Sequence, residues 1–139
     1  MNGDLPLAEY QFAAELRATL RRFLRRTEEI ARAHDLTPQQ HQLLLAIKGA
    51  ADGTETSTVT QLSDAMQLRQ STVTELVDRA EQAGLVKRRP SSRDGRVVRL
   101  TLTPEGERRL RGSVAALAAD RKQLVQLLDD ALGHALGKR

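Results

Sequence analysis

This sequence has no cysteine and no tryptophan, and only one tyrosine and two phenylalanines. Without cysteine there can be no disulfide, no thiolate metal site and no cysteine-based redox sensing. With aromatics at 2% of residues, the core has to be assembled from Leu, Val, Ala and Ile, which favours helix-on-helix packing over a sandwich. No run approaches the roughly 18 apolar residues of a membrane span. The opening segment MNGDLPLAEYQ carries an acid and no apolar stretch, unlike a secretory leader. The expected location is therefore cytoplasmic, with no membrane partner. A phosphate-cradling glycine loop, a nucleophile–base pairing and a carboxylate cluster are all missing, so no enzymatic activity is expected. His34, His41 and His134 lack both cysteine companions and a His-x3-His spacing, which predicts no metal site. No cofactor is expected either. Glu28-Glu29 and Asp129-Asp130 are adjacent pairs whose members diverge by about 100° on a helix, so they read as surface charge.

What is present is a length of 139 residues, suited to one domain, with a net charge of +4 spread unevenly. Between Lys87 and Arg99 lie six Lys/Arg side chains against a single acid, Asp94. They flank a turn-forming centre, Pro90-Ser91-Ser92-Arg93-Asp94-Gly95, and are followed at once by a helix start, Thr103-Pro104-Glu105. This order predicts a β-hairpin with a cationic tip. In its second half Val98, Leu100 and Leu102 alternate with Val97, Arg99 and Thr101, which gives one apolar and one charged face. Leu85 and Val86 open the partner strand. A rigid finger of this charge points to a polyanion, and nucleic acid is the obvious candidate.

Upstream, apolar residues recur at helical spacing from Leu7 to Ala33, with Arg17, Arg21, Arg22, Arg25 and Arg26 largely between them. A leading helix of that length suits a partner in a second subunit. Thr37 as N-cap, Pro38 at N1 and Gln40 at N3 predict a capped helix through Ile47, stopped at Gly49. Ala50 to Ser57 reads as a polar, exposed and mobile loop. Thr58 with Gln61 at N3 starts a short helix to Met66. A tight turn at Gln67–Gln70 leads into a second helix with Val73, Leu76, Val77 and Ala80 inward, ending at Gly84. Two short helices joined this way form a helix-turn-helix. After Thr103 the helical pattern continues towards Leu136, and Gly112 and the Ala-rich stretch that follows leave open whether it is one helix or two.

A helix-turn-helix followed by a charged hairpin is a winged helix, so the predicted fold is mainly α with a small β-hairpin. In such a lobe the second helix enters the major groove, where Gln70, Ser71, Thr72 and Thr74 can reach base edges or phosphates. The hairpin reaches the neighbouring minor groove, whose negative potential an inserted arginine reads; Arg93 and Arg96 are the candidates. Lys87, Arg88 and Arg89 on the rising strand suit phosphate contacts, which set register rather than sequence choice.

At these residues the chain resembles the MarR family of bacterial transcriptional regulators. The resemblance is carried by LTPQQHQLLLAI (Leu36 to Ile47), LRQSTVTELVDRAEQAGLVKR (Leu68 to Arg88), Asp94-Gly95-Arg96 and Leu100-Thr101-Leu102-Thr103-Pro104-Glu105-Gly106. It implies a homodimer, with dimerisation helices at 7–35 and 104–139 flanking a winged lobe at 36–103. Two such lobes would read a pseudo-palindromic operator in double-stranded DNA, most simply as a repressor. Position by position, Arg96 resembles the family's minor-groove arginine, Asp94 the acid that orients the wing, and Arg79 an arginine that contacts phosphate or braces the wing. A small aromatic or acidic effector that weakens DNA binding is also implied; by their location in the chain, Tyr10, Phe12, Arg17, His41 and the helix 104–119 are its candidate lining. Two positions depart from the pattern. Glu75 stands where many relatives carry Arg, and would either repel the backbone or accept from a cytosine N4 amine. The C-terminus is about one short helix shorter than usual, which trims the dimer surface. The alternatives are a winged helix used for protein contact, and an architectural protein that binds DNA without sequence preference.

Overall fold

The computed structural model describes residues 3–90 and 96–135. Within them lie α1 (Leu7–Ala33), α2 (Pro38–Lys48), α3 (Val59–Met66), α4 (Gln70–Gln82), β1 (Val86–Pro90), β2 (Val98–Leu102), α5 (Pro104–Ala116) and α6 (Ala118–Ala135). The undecided C-terminal stretch is therefore two helices, broken at Leu117. Two compact units are distinguished: Ala31–Val114, and the chain up to Ile30 together with that from Ala115 onward. Among the described residues no helix is long and apolar enough to cross a membrane, and none form a cluster able to hold a metal ion.

The first unit is a winged lobe with its own core. Leu43, Leu44 and Ile47 from α2 meet Leu62 from α3, Val73 and Val77 from α4, and Leu85, Val86 and Leu100 from the hairpin. The helix starts follow from local chemistry. Thr37 and Gln40 close a capping box on α2, and Thr58 and Gln61 close another on α3. The helix ends do so too. Asp35 (φ 61), Gln67 (φ 55) and Gly84 (φ 75) are left-handed, each followed by a leucine whose N–H bonds back into the preceding helix: Leu36 to Ala31, Leu68 to Ser63 and Leu85 to Ala80. Two of these leucines, Leu36 and Leu85, go straight into the core.

The strands β1 and β2 pair antiparallel, with Val86 opposite Leu102, Lys87 opposite Thr101, Arg88 opposite Leu100, Arg89 opposite Arg99, and Pro90 opposite Val98. Because directly opposed residues share a face, one face carries Val86, Arg88, Pro90, Val98, Leu100 and Leu102. The other carries Lys87, Arg89, Arg99 and Thr101. The apolar face is buried only at its base: Val86 and Leu100 are inaccessible, whereas Val98 is 42% exposed.

The segment Ala50–Ser57 departs from its expected character as a free loop at its C-terminal end. Ser57 is buried and pairs with Leu100 in both directions, at 3.2 and 2.8 Å. The edge of β2 that faces away from β1 has N–H and C=O groups needing partners, and Ser57 supplies them. Beside it, Arg99 donates to the Thr56 hydroxyl at 3.2 Å. Asp52 accepts from the Thr54 N–H and hydroxyl, which holds its carboxyl below the usual range. Lys48 bonds Glu55 of this loop and Glu107 of α5, both at 2.9 Å, and the two carboxylates raise its pKa.

The second unit is different in kind. Arg26 of α1 faces Asp120 of α6 at 3.7 Å, and Phe12, Leu16 and Thr19 line a small cavity with Leu127, Leu128 and Ala131. Of its described residues Leu117 alone is buried. Leu5, Leu7, Tyr10, Leu24, Val125 and Leu132 are each more than half exposed.

Candidate nucleic-acid interface

The helix α4 buries Val73, Val77 and Ala80, a spacing of i, i+4, i+7 that turns the rest of its surface outward. Gln70, Ser71, Thr72, Thr74 and Glu75 are all exposed along its first turn and a half. They form the polar, solvent-facing start of the helix that the sequence pattern anticipates. Gln70 Nε2 lies 3.4 Å from the Thr60 hydroxyl of α3. The Thr74 hydroxyl donates to the Gln70 carbonyl at 2.9 Å, which leaves its lone pairs to accept. Arg69, the N-cap, gives no side-chain cap, so the first N–H groups of α4 have no capping oxygen. A helix start of that kind favours anions.

On the hairpin the six basic residues divide. Lys87 and Arg89 are exposed, and with half-buried Arg99 they occupy the face away from Val86 and Leu100. Arg89 stands directly opposite Arg99, a like-charge cross-strand pair that is unfavourable in isolation and relieved by a facing polyanion. Alternation alone places Arg99 on the charged face, and the strand register is what pairs it with Arg89. Arg96, just before β2, is exposed. Arg93 and Asp94, the other two tip candidates, lie outside the described residues.

Arg88 behaves differently from its neighbours. Its guanidinium donates one nitrogen to Asp78 and the other, at 3.0 Å, to Glu81. Both carboxylates belong to α4, so Arg88 is held by the helix instead of standing free beside Lys87 and Arg89. Arg79 is exposed and lines a small cavity with Thr37, Gln40, Leu43 and Leu76. Arg88 is a wing arginine bonded to α4, and the signal that could have found this is the period-two alternation that sets Arg88 on the α4 side of the sheet.

The effector candidates fall in different places. Tyr10, 58% exposed, and Arg17, also exposed, belong to α1 in the second unit. His41 is buried in α2 of the winged lobe. Within that lobe a cavity of about 670 Å³ lies between α2 and α3 and is lined by Gln42, Leu45, Ala46, Asp52, Gln61 and Met66 among others.

Set beside known proteins, residues 34–97 match the model of the MarR family. An uncharacterized HTH-type transcriptional regulator of Bacillus subtilis, YsmB, is 40% identical over 80 residues, which are 58% of this chain and 52% of that protein. The chain thus spans about half the length of that curated relative. Among solved structures, a MarR family transcription regulator superposes with a TM-score of 0.74 at 22% identity, over 94% of this chain and 85% of that one. A cysteine-to-serine mutant of E. coli MarR complexed with operator DNA gives 0.68 at 22% identity, over 96% and 99%. S. aureus MepR, as a mutant bound to an oligodeoxyribonucleotide, gives 0.65 at 18% identity, over 91% and 96%. These likenesses show the winged-helix fold.

Proposed function

We propose that the chain, whose residues 34–97 match the model of the MarR family, is a MarR-family regulator of transcription that binds double-stranded DNA sequence-specifically. One observation carries the reading: an exposed polar start to α4 beside a hairpin face that presents Lys87, Arg89 and Arg99 together. The first suits base edges in a major groove, and the second suits phosphates. Gln70, Ser71, Thr72 and Thr74 are assigned to the major groove. Arg96, with Arg93, is assigned to the adjacent minor groove, with Asp94 orienting the tip.

The unit is a homodimer on a pseudo-palindromic operator, acting as a repressor from which a small aromatic or acidic effector releases it. Support for the dimer is the second unit, in which a 27-residue helix contributes and yet Leu117 is the sole buried described residue. A helix pair with so little interior needs a further apolar surface to cover it. The activity is binding and not catalysis, exerted where the genome lies, in the cytoplasm.

A salt titration tests the reading. If each subunit neutralises about five phosphates, log K falls with log salt at a slope near −9. A slope shallower than about −3 contradicts the two-lobed clamp, and absence of retention at low salt favours a protein-contact role instead. Equal affinity for a duplex selected from a random pool and for unselected duplex would make the protein architectural.

A further inference from the structure

We propose that Arg88 is a positioning residue: with Asp78 and Glu81 it clamps the wing to the recognition helix and sets the wing's angle, and it does not contact DNA phosphate. The inference rests on the DNA-reading function proposed above. The first argument is geometric. Asp78 and Glu81 stand one turn apart on α4, and the two terminal nitrogens of Arg88 reach one each. A planar guanidinium holding two carboxylates in this way fixes an orientation as well as a distance.

The second argument is position. Val86 and Leu100, at the base of the hairpin, are inaccessible to solvent, but Val97 and Val98 are 37% and 42% exposed. Among the described residues, hydrophobic anchoring of the wing therefore ends at the Arg88–Leu100 rung. Beyond that rung, the described residues Val97 and Val98 bring no buried apolar contact that would set the angle of the strands relative to α4. The clamp acts at the point where packing stops.

The third argument is charge. Two carboxylates around one guanidinium leave a surplus negative charge at that spot. A side chain meant to attract a phosphate is poorly served by such a setting, whereas Lys87 and Arg89, on the opposite face, are not hindered by it.

The charge argument fixes the sign of the test. A variant carrying Asp78→Asn and Glu81→Gln loses two negative charges per subunit and frees Arg88. If Arg88 were a phosphate contact held in check, that variant would bind every duplex more tightly. The clamp predicts the reverse: about tenfold weaker binding to a duplex selected by the wild-type protein from a random pool, with a smaller loss on unselected duplex.

Arg88→Lys keeps the charge but cannot span both carboxylates, so it should show the same selective loss. Because these side chains are exposed, the melting temperature should move by no more than a few degrees. If the double variant melts well below wild type, Arg88→Lys decides, and unchanged affinity overturns the clamp. Equal or tighter binding by a stably folded double variant overturns it as well. Failure of the wild-type protein to retain any duplex at low salt is a different result, which removes the DNA reading itself.

Discussion

Glu75 sits one turn beyond Ser71 on the exposed face of α4, and no cation pairs with it among the described residues. The other acids of this helix, Asp78 and Glu81, are both engaged by Arg88. An unpaired carboxylate on a surface that meets a polyanion repels it, and the repulsion is the same for every base sequence. Glu75→Gln should therefore tighten binding about threefold on selected and unselected duplex alike. Fluorescence anisotropy at fixed salt measures both. A loss confined to operators with one particular cytosine would instead assign Glu75 to reading its N4 amine. At this scale the sequence was informative about type and less so about engagement. Gln70, Ser71, Thr72 and Thr74 stand on the expected face because helical spacing alone sets it. Alternation from buried Val86 puts Arg88 and not Lys87 on the α4 side, but which carboxylates Arg88 meets depends on how the hairpin lies against α4, a long-range placement with no local signal.

Between elements, the joint that matters most is where α4, the hairpin and α5 meet. Thr103 donates its N–H to the Leu85 carbonyl at 3.0 Å and its hydroxyl to the Gly84 carbonyl at 2.6 Å. The same hydroxyl accepts from the Gly106 N–H at 3.0 Å and so caps α5. The closeness of this clasp depends on Gly106, where an added Cβ would fall 2.2 Å from the Leu85 carbonyl oxygen. Gly84 is required for another reason. Its φ is +75, and a Cβ there would meet nothing within 4 Å. Gly84→Ala should thus cost only the conformational penalty, about 1 kcal/mol. Gly106→Ala forces backbone apart and should cost about 2–3 kcal/mol. Urea denaturation of the two variants separates them, and equal costs would mean that α5 can shift away without penalty. The capping boxes and the helix end at Gly84 were legible beforehand, since their chemistry is local to a few residues, whereas the left-handed ends at Asp35 and Gln67 carry no glycine to mark them. The Ser57–Leu100 pairing was not, because a single rung between residues 43 apart leaves no periodic trace. Nor was the break at Leu117, which has no glycine or proline to mark it.

For the whole molecule the deciding question is what covers the second unit. Tyr10, Leu24, Val125 and Leu132 are each more than half exposed, and Val125 and Leu132 lie seven residues apart on α6, on one face. Charged residues there would leave the winged lobe untouched, since its core is drawn from Ala31 to Leu110. The double variant Val125→Glu, Leu132→Glu should sediment as a monomer at micromolar concentration, whereas the wild-type protein should sediment as a dimer and melt at a temperature that rises with concentration. Dimerisation and DNA binding then become separable in one measurement. A monomer brings one lobe and about five phosphate contacts in place of ten, so its salt slope should fall from near −9 to roughly −4.5. The intrinsic preference of the lobe for a half-site should survive, because α4 and the wing are unchanged. If the variant were monomeric yet kept the full slope, the phosphate contacts would have to come from a single lobe, and the two-lobed reader would be wrong.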